Sequence, residues 1–157
     1  MKTSAGILLY RTGEIGLEVL IAHMGGPFWE GKDARAWSIP KGETEKGEDP
    51  LAVARREFEE ELGSPPPPEP YLDLGSAEQS SRKRVHIFAV EGDLDAEATT
   101  SNTFSLEWPP RSGKLQEFPE IDHAAWVSLE LAGEKLVRGQ VQFLERLESA
   151  LAGSASA

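Results

Sequence analysis

Glu57, Glu60 and Glu61 stand at positions i, i+3 and i+4 of the run ARREFEEELG, so on a helix all three carboxylates lie toward one side. A cluster that offers only oxygen suits hard divalent cations, Mg²⁺ or Mn²⁺ ahead of zinc. Magnesium keeps several waters and shares its coordination with substrate phosphates. The same side chains make a poor helix end. With Glu59 they crowd the last turn, where the macrodipole favours cations. The pairs Glu57–Glu60 and Glu57–Glu61 each repel by about 0.2–0.5 kcal/mol. Arg55 and Arg56 offset part of this, although Arg placed N-terminal to Glu is the weaker orientation. A cation is therefore expected beside these glutamates. The backbone around Lys41-Gly42 lies just before the helix and can fold back to supply a carbonyl. Lys41 itself is a candidate phosphate contact, its plainer reading being an exposed surface lysine.

The helix that must carry these groups is well punctuated. Asp49 suits the N-cap, Pro50 the first helical position and Gly63 the C-cap. Between them Leu51, Ala54, Phe58 and Leu62 recur at three- and four-residue steps, which gives one apolar face. Ahead of it, residues 3–10 and 16–23 read as two strands joined by a turn at Thr12-Gly13-Glu14. A loop from Gly25 to about Ala34 carries Phe28 and Trp29, an aromatic pair fit either for stacking on a base or for packing. Residues 37–40 form a short strand, broken by Pro40-Lys41-Gly42.

After Gly63, the prolines from Pro65 to Pro70 make a stiff extended connector. Residues 71–76, 83–91 and 102–108 read as strands, and 111–120 as a long loop holding Glu117 and Glu120. Residues 123–129 read as a final strand, and an amphipathic helix runs from Glu134 onward. Several strands, one central helix and one terminal helix give an α/β arrangement, a mixed sheet covered on both faces. A single domain over 1–152 is expected, with 153–157 as a disordered tail.

Composition narrows the function classes. The 157 residues suffice for one well-buried core, and 39% hydrophobic and 27% charged residues are ordinary for a soluble protein. A formal net charge of −11 argues against a nucleic-acid partner or a membrane surface. It leaves an anionic substrate open, because bound divalent cations reverse the local potential. Without cysteine there is no disulfide, thiolate catalysis or cysteine zinc site, which is compatible with a cytoplasmic location. Oligomeric state is not readable from the chain.

The central stretch resembles the signature of the Nudix hydrolases. From Gly42, five residues lead to Glu48, and seven more to Arg56-Glu57-Phe58. Glu60-Glu61 follow after one residue, and Gly63 after one further. With typical residues at roughly 5–8% of positions, seven fixed matches arise by chance on the order of once in 10⁸ placements. Ser64 and Phe58 depart from the aliphatic residues usual at their slots, which concern packing. GGPFW, WSIPKGE and QEFPEIDHAAW further resemble a bacterial MutT-like branch of nucleotide pyrophosphohydrolases. The resemblance implies an α/β/α sandwich and hydrolysis of a nucleoside diphosphate linked to another group, by water attack on phosphorus with Mg²⁺ or Mn²⁺. Glu60 and Glu61 match metal ligands, with the Gly42 carbonyl as a further one. Glu57 matches the metal-bound or base-positioning glutamate, Arg56 the arginine that orients the glutamates, and Glu48 a loop-bracing carboxylate. A later-loop carboxylate often joins, and Glu117 and Glu120 both fit.

The substrate is less constrained. Relatives that open ADP-ribose or diadenosine polyphosphates usually carry a Pro or Tyr beyond the signature, and Ala77 to Arg84 holds neither. Arg82, Lys83 and Arg84 form the densest basic patch, which suits either extra phosphates or protection of an edge strand. Trp29, Phe28 and His86 are stacking candidates, with packing as the alternative. Nucleoside triphosphates or dinucleoside polyphosphates are the expected substrates. ADP-ribose, a diphosphoinositol compound and a non-catalytic sensor role are the alternatives. The intact glutamate set argues against the last, since a sensor needs no base.

Overall fold

The computed structural model describes residues 1–156. Its first strand, β1 (Lys2–Thr12), carries the apolar run AGILLY at the middle of a seven-stranded sheet. Ala5, Ile7 and Leu9 face one side and Leu8 the other, all almost fully buried. An unbroken apolar run is what a strand covered on both faces requires. β6 (Lys83–Glu91) runs parallel to β1 along its whole length, from Lys2 opposite Lys83 to Tyr10 opposite Glu91. The other edge of β1 is shared. β4 (Lys41–Glu43) pairs with its first half and β2 (Leu17–Met24) with its end, both antiparallel. β3 (Trp37–Ser38) and β9 (Ile121–Ser128) flank β2, and β5 (Leu72–Ser80) closes the far side against β6.

α1 (Pro50–Leu62) covers one face, packing Val53, Ala54, Phe58 and Leu62 on Ala5, Ile7, Leu20 and Val90. α2 (Leu129–Lys135) and α3 (Gln142–Ser156) cover the other, with Phe143, Leu144 and Leu147 against Leu8, Val19 and Ile21. This is the expected α/β/α sandwich with a mixed sheet. Among the described residues no helix is long and apolar enough to cross a membrane.

Four expectations change. The supposed loop at 111–120 contains β8 (Leu115–Pro119), which forms a separate two-stranded sheet with β7 (Thr103–Glu107). Its residues are almost all exposed, so the hydrophobic alternation that marks a half-buried strand is missing. The single terminal helix from Glu134 is two helices separated by a 3-10 turn, Arg138–Gln140. Leu136 and Val137 leave the helix because their backbone meets β3: the Val137 N–H donates to the Trp37 carbonyl at 2.9 Å. Tertiary pairing there outweighs a continuous amphipathic pattern. Lys41-Gly42, read as a break, continues into β4. The expected disordered tail, 153–157, has its backbone in α3 as far as Ser156, and Ala157 lies outside the described residues.

One buried polar side chain fixes the start of β4. Gln140 is wholly buried; its Oε1 accepts the Ile39 N–H at 2.8 Å, and its Nε2 donates to Ser38 Oγ at 3.0 Å and Gln79 Oε1 at 3.1 Å. Gly139 makes the approach possible, since a Cβ there would overlap the Gln79 backbone. Gln140→Leu leaves the Ile39 donor buried and unpaired, and about 1–3 kcal/mol of stability is expected to be lost. Urea unfolding measures this, and an unchanged midpoint at unchanged slope would refute it.

Candidate active site

The local signals of α1 act as its sequence dictates. Asp49, with extended backbone, accepts the Ala52 N–H at 3.1 Å, Pro50 occupies the first turn, and Gly63 closes the helix at φ 80° with its N–H on the Glu59 carbonyl. The last turn holds no basic residue. Packing Val53, Ala54, Phe58 and Leu62 into the core turns Glu61, which falls within the same arc of the helix, inward. Glu61 is only 7% exposed. Its Oε2 accepts the Lys41 N–H at 3.3 Å, from the strand on the opposite wall.

Gly42 explains how the walls come so close. It lies opposite Ala5 in the ladder, and a Cβ on it would overlap the Glu57 carboxylate. The result is a cleft of about 410 Å³ with Glu57, Glu61 and Glu120 on one side and Lys41 and Gly42 on the other. Lys2, Ser4, Glu43 and Lys83 complete its rim. Lys2 and Lys83 are directly opposed in the β1–β6 register, and Lys2 Nζ is 3.4 Å from Glu43 Oε1.

Glu120 reaches the cleft through the free carbonyls at the end of α1. The Asn102 N–H donates to the Glu60 carbonyl at 3.0 Å, the Glu120 N–H donates to the Asn102 carbonyl at 3.0 Å, and the Gly25 N–H donates to the Glu120 carbonyl at 2.9 Å. Helix-end acceptors that need partners thus set the position of a distant carboxylate. Glu117 sits instead on β8 opposite Ser105, exposed and away from the cleft.

The electrostatics follow from burial among like charges. Glu61 is pushed up to about 8, first by burial and then by Glu120, with Lys41 opposing. Glu57 is raised by burial and then by Glu60, against the pull of Arg56. Glu120 is raised by burial and then by Glu60. Lys41 is lowered by burial, with Glu61 opposing. Glu60 is exposed and does not line the cleft, although its charge acts on Glu57 and Glu120. Glu48 is held below its usual range by the Glu45 N–H at 2.7 Å and then by Arg56 Nη1 at 3.2 Å, so it ties the loop before α1 to the helix. Arg56 also stands 3.9 Å from Glu57.

The other expected residues are dispersed. Of the basic patch only Lys83 lines the cleft; Arg82 lies beyond it beside Met1, and Arg84 faces Glu78 at 3.9 Å. His86 is held by Asp73 at 2.6 Å and stacks on Phe88. Trp29 packs against the core on the α2–α3 side, and Phe28 meets the edge of Trp108. Lys2 and Ser4 were not foreseen, because only the β1–β6 and β1–β4 pairing brings them to the glutamates. In a shallower depression of about 600 Å³ at Arg11, Asp93 and Trp126 the one cation is already engaged, Arg11 lying 2.6 Å from Asp93 and 4.0 Å over the Trp126 ring.

The donor set fits a hard cation. Glu57, Glu60, Glu61 and Glu120 offer only oxygen, and the carboxylates of Glu57, Glu61 and Glu120, each raised by burial and then by a neighbouring glutamate, mark a place short of positive charge. Glu57, Glu60 and Glu61 face one side, but they do not bring three ligand oxygens within 4.8 Å of one another.

A family model described as NUDIX domain matches residues 1–147. The chain belongs to the Nudix family, and the pyrophosphohydrolase class expected from its sequence holds with that membership. Solved structures agree in fold. The Caenorhabditis elegans Ap4A hydrolase binary complex matches with a TM-score of 0.61 at 20% identity, over 96% of this chain and 98% of that one. The NUDIX domain of Shewanella oneidensis NrtR complexed with ADP ribose gives 0.63 at 14%, over 95% and 87%. A mutT/nudix family protein from Listeria innocua gives 0.59 at 18%, over 98% and 95%. No curated protein matches the chain in sequence.

Glu61 couples the cleft to stability. Its folded-state value lies above the ordinary 4.5, so the folded chain holds a proton that the unfolded chain has lost between 4.5 and about 8. Stability is therefore expected to fall as pH rises through that window, with Glu57 and Glu120 pulling the same way. The slope in EDTA should approach ~1 kcal/mol per pH unit, and Glu61→Gln should flatten it. Equal slopes in both proteins would exclude Glu61 as the source.

Proposed function

We propose that this Nudix pyrophosphohydrolase opens a phosphoanhydride bond of a nucleoside triphosphate or dinucleoside polyphosphate, using Mg²⁺ or Mn²⁺. Glu57, Glu60 and Glu61 would hold the metal, with the Gly42 carbonyl. The observation that carries this reading is a single cleft in which the buried Glu61 and the half-buried Glu57 and Glu120 face Lys41 and a rim that includes Lys2 and Lys83. A phosphoanhydride resists water because its negative oxygens repel the nucleophile. A divalent cation held there would neutralise those oxygens and make the attacking water more acidic.

The chain's own groups supply the rest. Lys41, Lys2 and Lys83 bind and orient the phosphates. Glu57 or Glu120, both raised, accepts the proton of the attacking water. Arg56 positions Glu57, and Glu48 positions Arg56. Three lysines along one side favour a substrate with more than two phosphates. The fold shared with a domain solved with ADP ribose makes that compound the second candidate.

Purified protein with Mg²⁺ or Mn²⁺, tested against nucleoside triphosphates, dinucleoside polyphosphates, ADP-ribose and diphosphoinositol compounds, decides among them. Absence of turnover on all would favour a sensor role instead. Glu57→Gln and Glu60→Gln are each expected to lower kcat by roughly 10²–10⁴-fold with the fold intact, and wild-type rates in either would sink the assignment. Lys2→Ala combined with Lys83→Ala should raise KM several-fold for triphosphates with kcat nearly unchanged, because these side chains contact ground and transition states alike. An unaltered KM would remove them from the substrate site.

A further inference from the structure

His23, Asp122 and His123 gather on the α2–α3 side of the sheet, outside the carboxylate cleft. Their proximity comes from a register break. His23 is opposite His123, but the next pair is Met24 with Ile121, so Asp122 is the extra residue of a bulge. In a regular ladder Asp122 and His123 would point to opposite faces; the bulge lets both address His23. The two imidazoles stack with centroids 4.9 Å apart, and Trp37 meets both edge-on. His23 is 4% exposed, while Asp122 and His123 reach solvent.

The hydrogen bonds of a neutral His23 ring do not close without a cation. Its Nε2 is 2.6 Å from the Lys32 carbonyl, which only accepts, so Nε2 carries hydrogen. In a neutral ring that leaves a lone pair on Nδ1, and this atom faces Asp122 Oδ1, also an acceptor, at 2.8 Å. The same oxygen is 2.6 Å from His123 Nδ1. Ligand atoms from all three residues lie within 4.8 Å of one another.

We propose that His23 Nδ1, the Asp122 carboxylate and His123 Nδ1 bind a divalent transition-metal ion of the Zn²⁺ class, with water completing the shell. A ring N–H held by a backbone carbonyl is the partner that fixes a metal-ligating histidine in its tautomer and orientation. Two imidazoles and one carboxylate select borderline ions such as Zn²⁺ over Mg²⁺. The buried His23 is the fixed ligand. Asp122 and His123 are the outer ones and can widen by roughly half an ångström to accommodate bonds of about 2.0–2.1 Å. None of the three lines the glutamate cleft.

The chain has three histidines, which makes the test specific. Imidazole ¹⁵N spectra of the full chain, stripped with EDTA and then given excess Mg²⁺, are followed through one equivalent of Zn²⁺. His23 and His123 are expected to shift while His86 stays in place. His123→Ala and Asp122→Asn, both solvent-facing, should each weaken Zn²⁺ binding at least tenfold and leave Mg²⁺-supported turnover unchanged. Zn²⁺ uptake that moves none of the histidines, undiminished affinity in His123→Ala, or no Zn²⁺ binding at micromolar concentration would overturn the proposal. The last outcome would mark a plain imidazolium–carboxylate pair.

Discussion

A carboxylate held inside the protein beside other carboxylates is the constraint around which the site is built. Glu61 lies between the core residues Phe58 and Leu62 on the same helix, so the packing that stabilises α1 also drives Glu61 out of water. Burial of the two apolar side chains is worth roughly 1.5–3 kcal/mol each, enough to hold a group that prefers solvent. Its one backbone partner, the Lys41 N–H, belongs to β4, and β4 exists because β1 shares its edge between two strands. Sheet topology and carboxylate chemistry are thus one arrangement.

That arrangement extends through the helix end. Residues 100–102 satisfy the carbonyls of Glu60 and Leu62, and the same segment carries the backbone of Glu120 to the cleft. A helix whose last turn repels itself is thus joined by a fourth carboxylate. Local stability gains nothing from this, which is why the energetic logic points to a cation rather than to packing.

What was legible in the sequence was what depends on neighbours along the chain. Asp49, Pro50 and Gly63 bound α1, and the i, i+3, i+4 spacing set the glutamates on one side. Long-range pairing was not legible. The choice between Glu117 and Glu120 turns on which backbone meets the end of α1, and Lys2 enters through its register with Lys83. Arg84 and His86 neighbour Lys83 in sequence, yet neither lines the cleft, Arg84 lying 3.9 Å from Glu78 and His86 2.6 Å from Asp73. The bulge at Asp122 leaves no mark in composition or periodicity.

The charge balance ties these levels together. A chain of net charge −11 repels a polyphosphate over most of its surface. Lys2, Lys41 and Lys83 converge where the glutamates create a demand for a divalent ion. On the proposed reading a polyphosphate and a divalent ion would be attracted to one cleft, each lowering the cost of the other, while acidity elsewhere would discourage nonproductive binding. The glutamate spacing that first marks a helix as poorly charged is, in three dimensions, half of that balance, and the lysines brought in by β1, β4 and β6 are the other half.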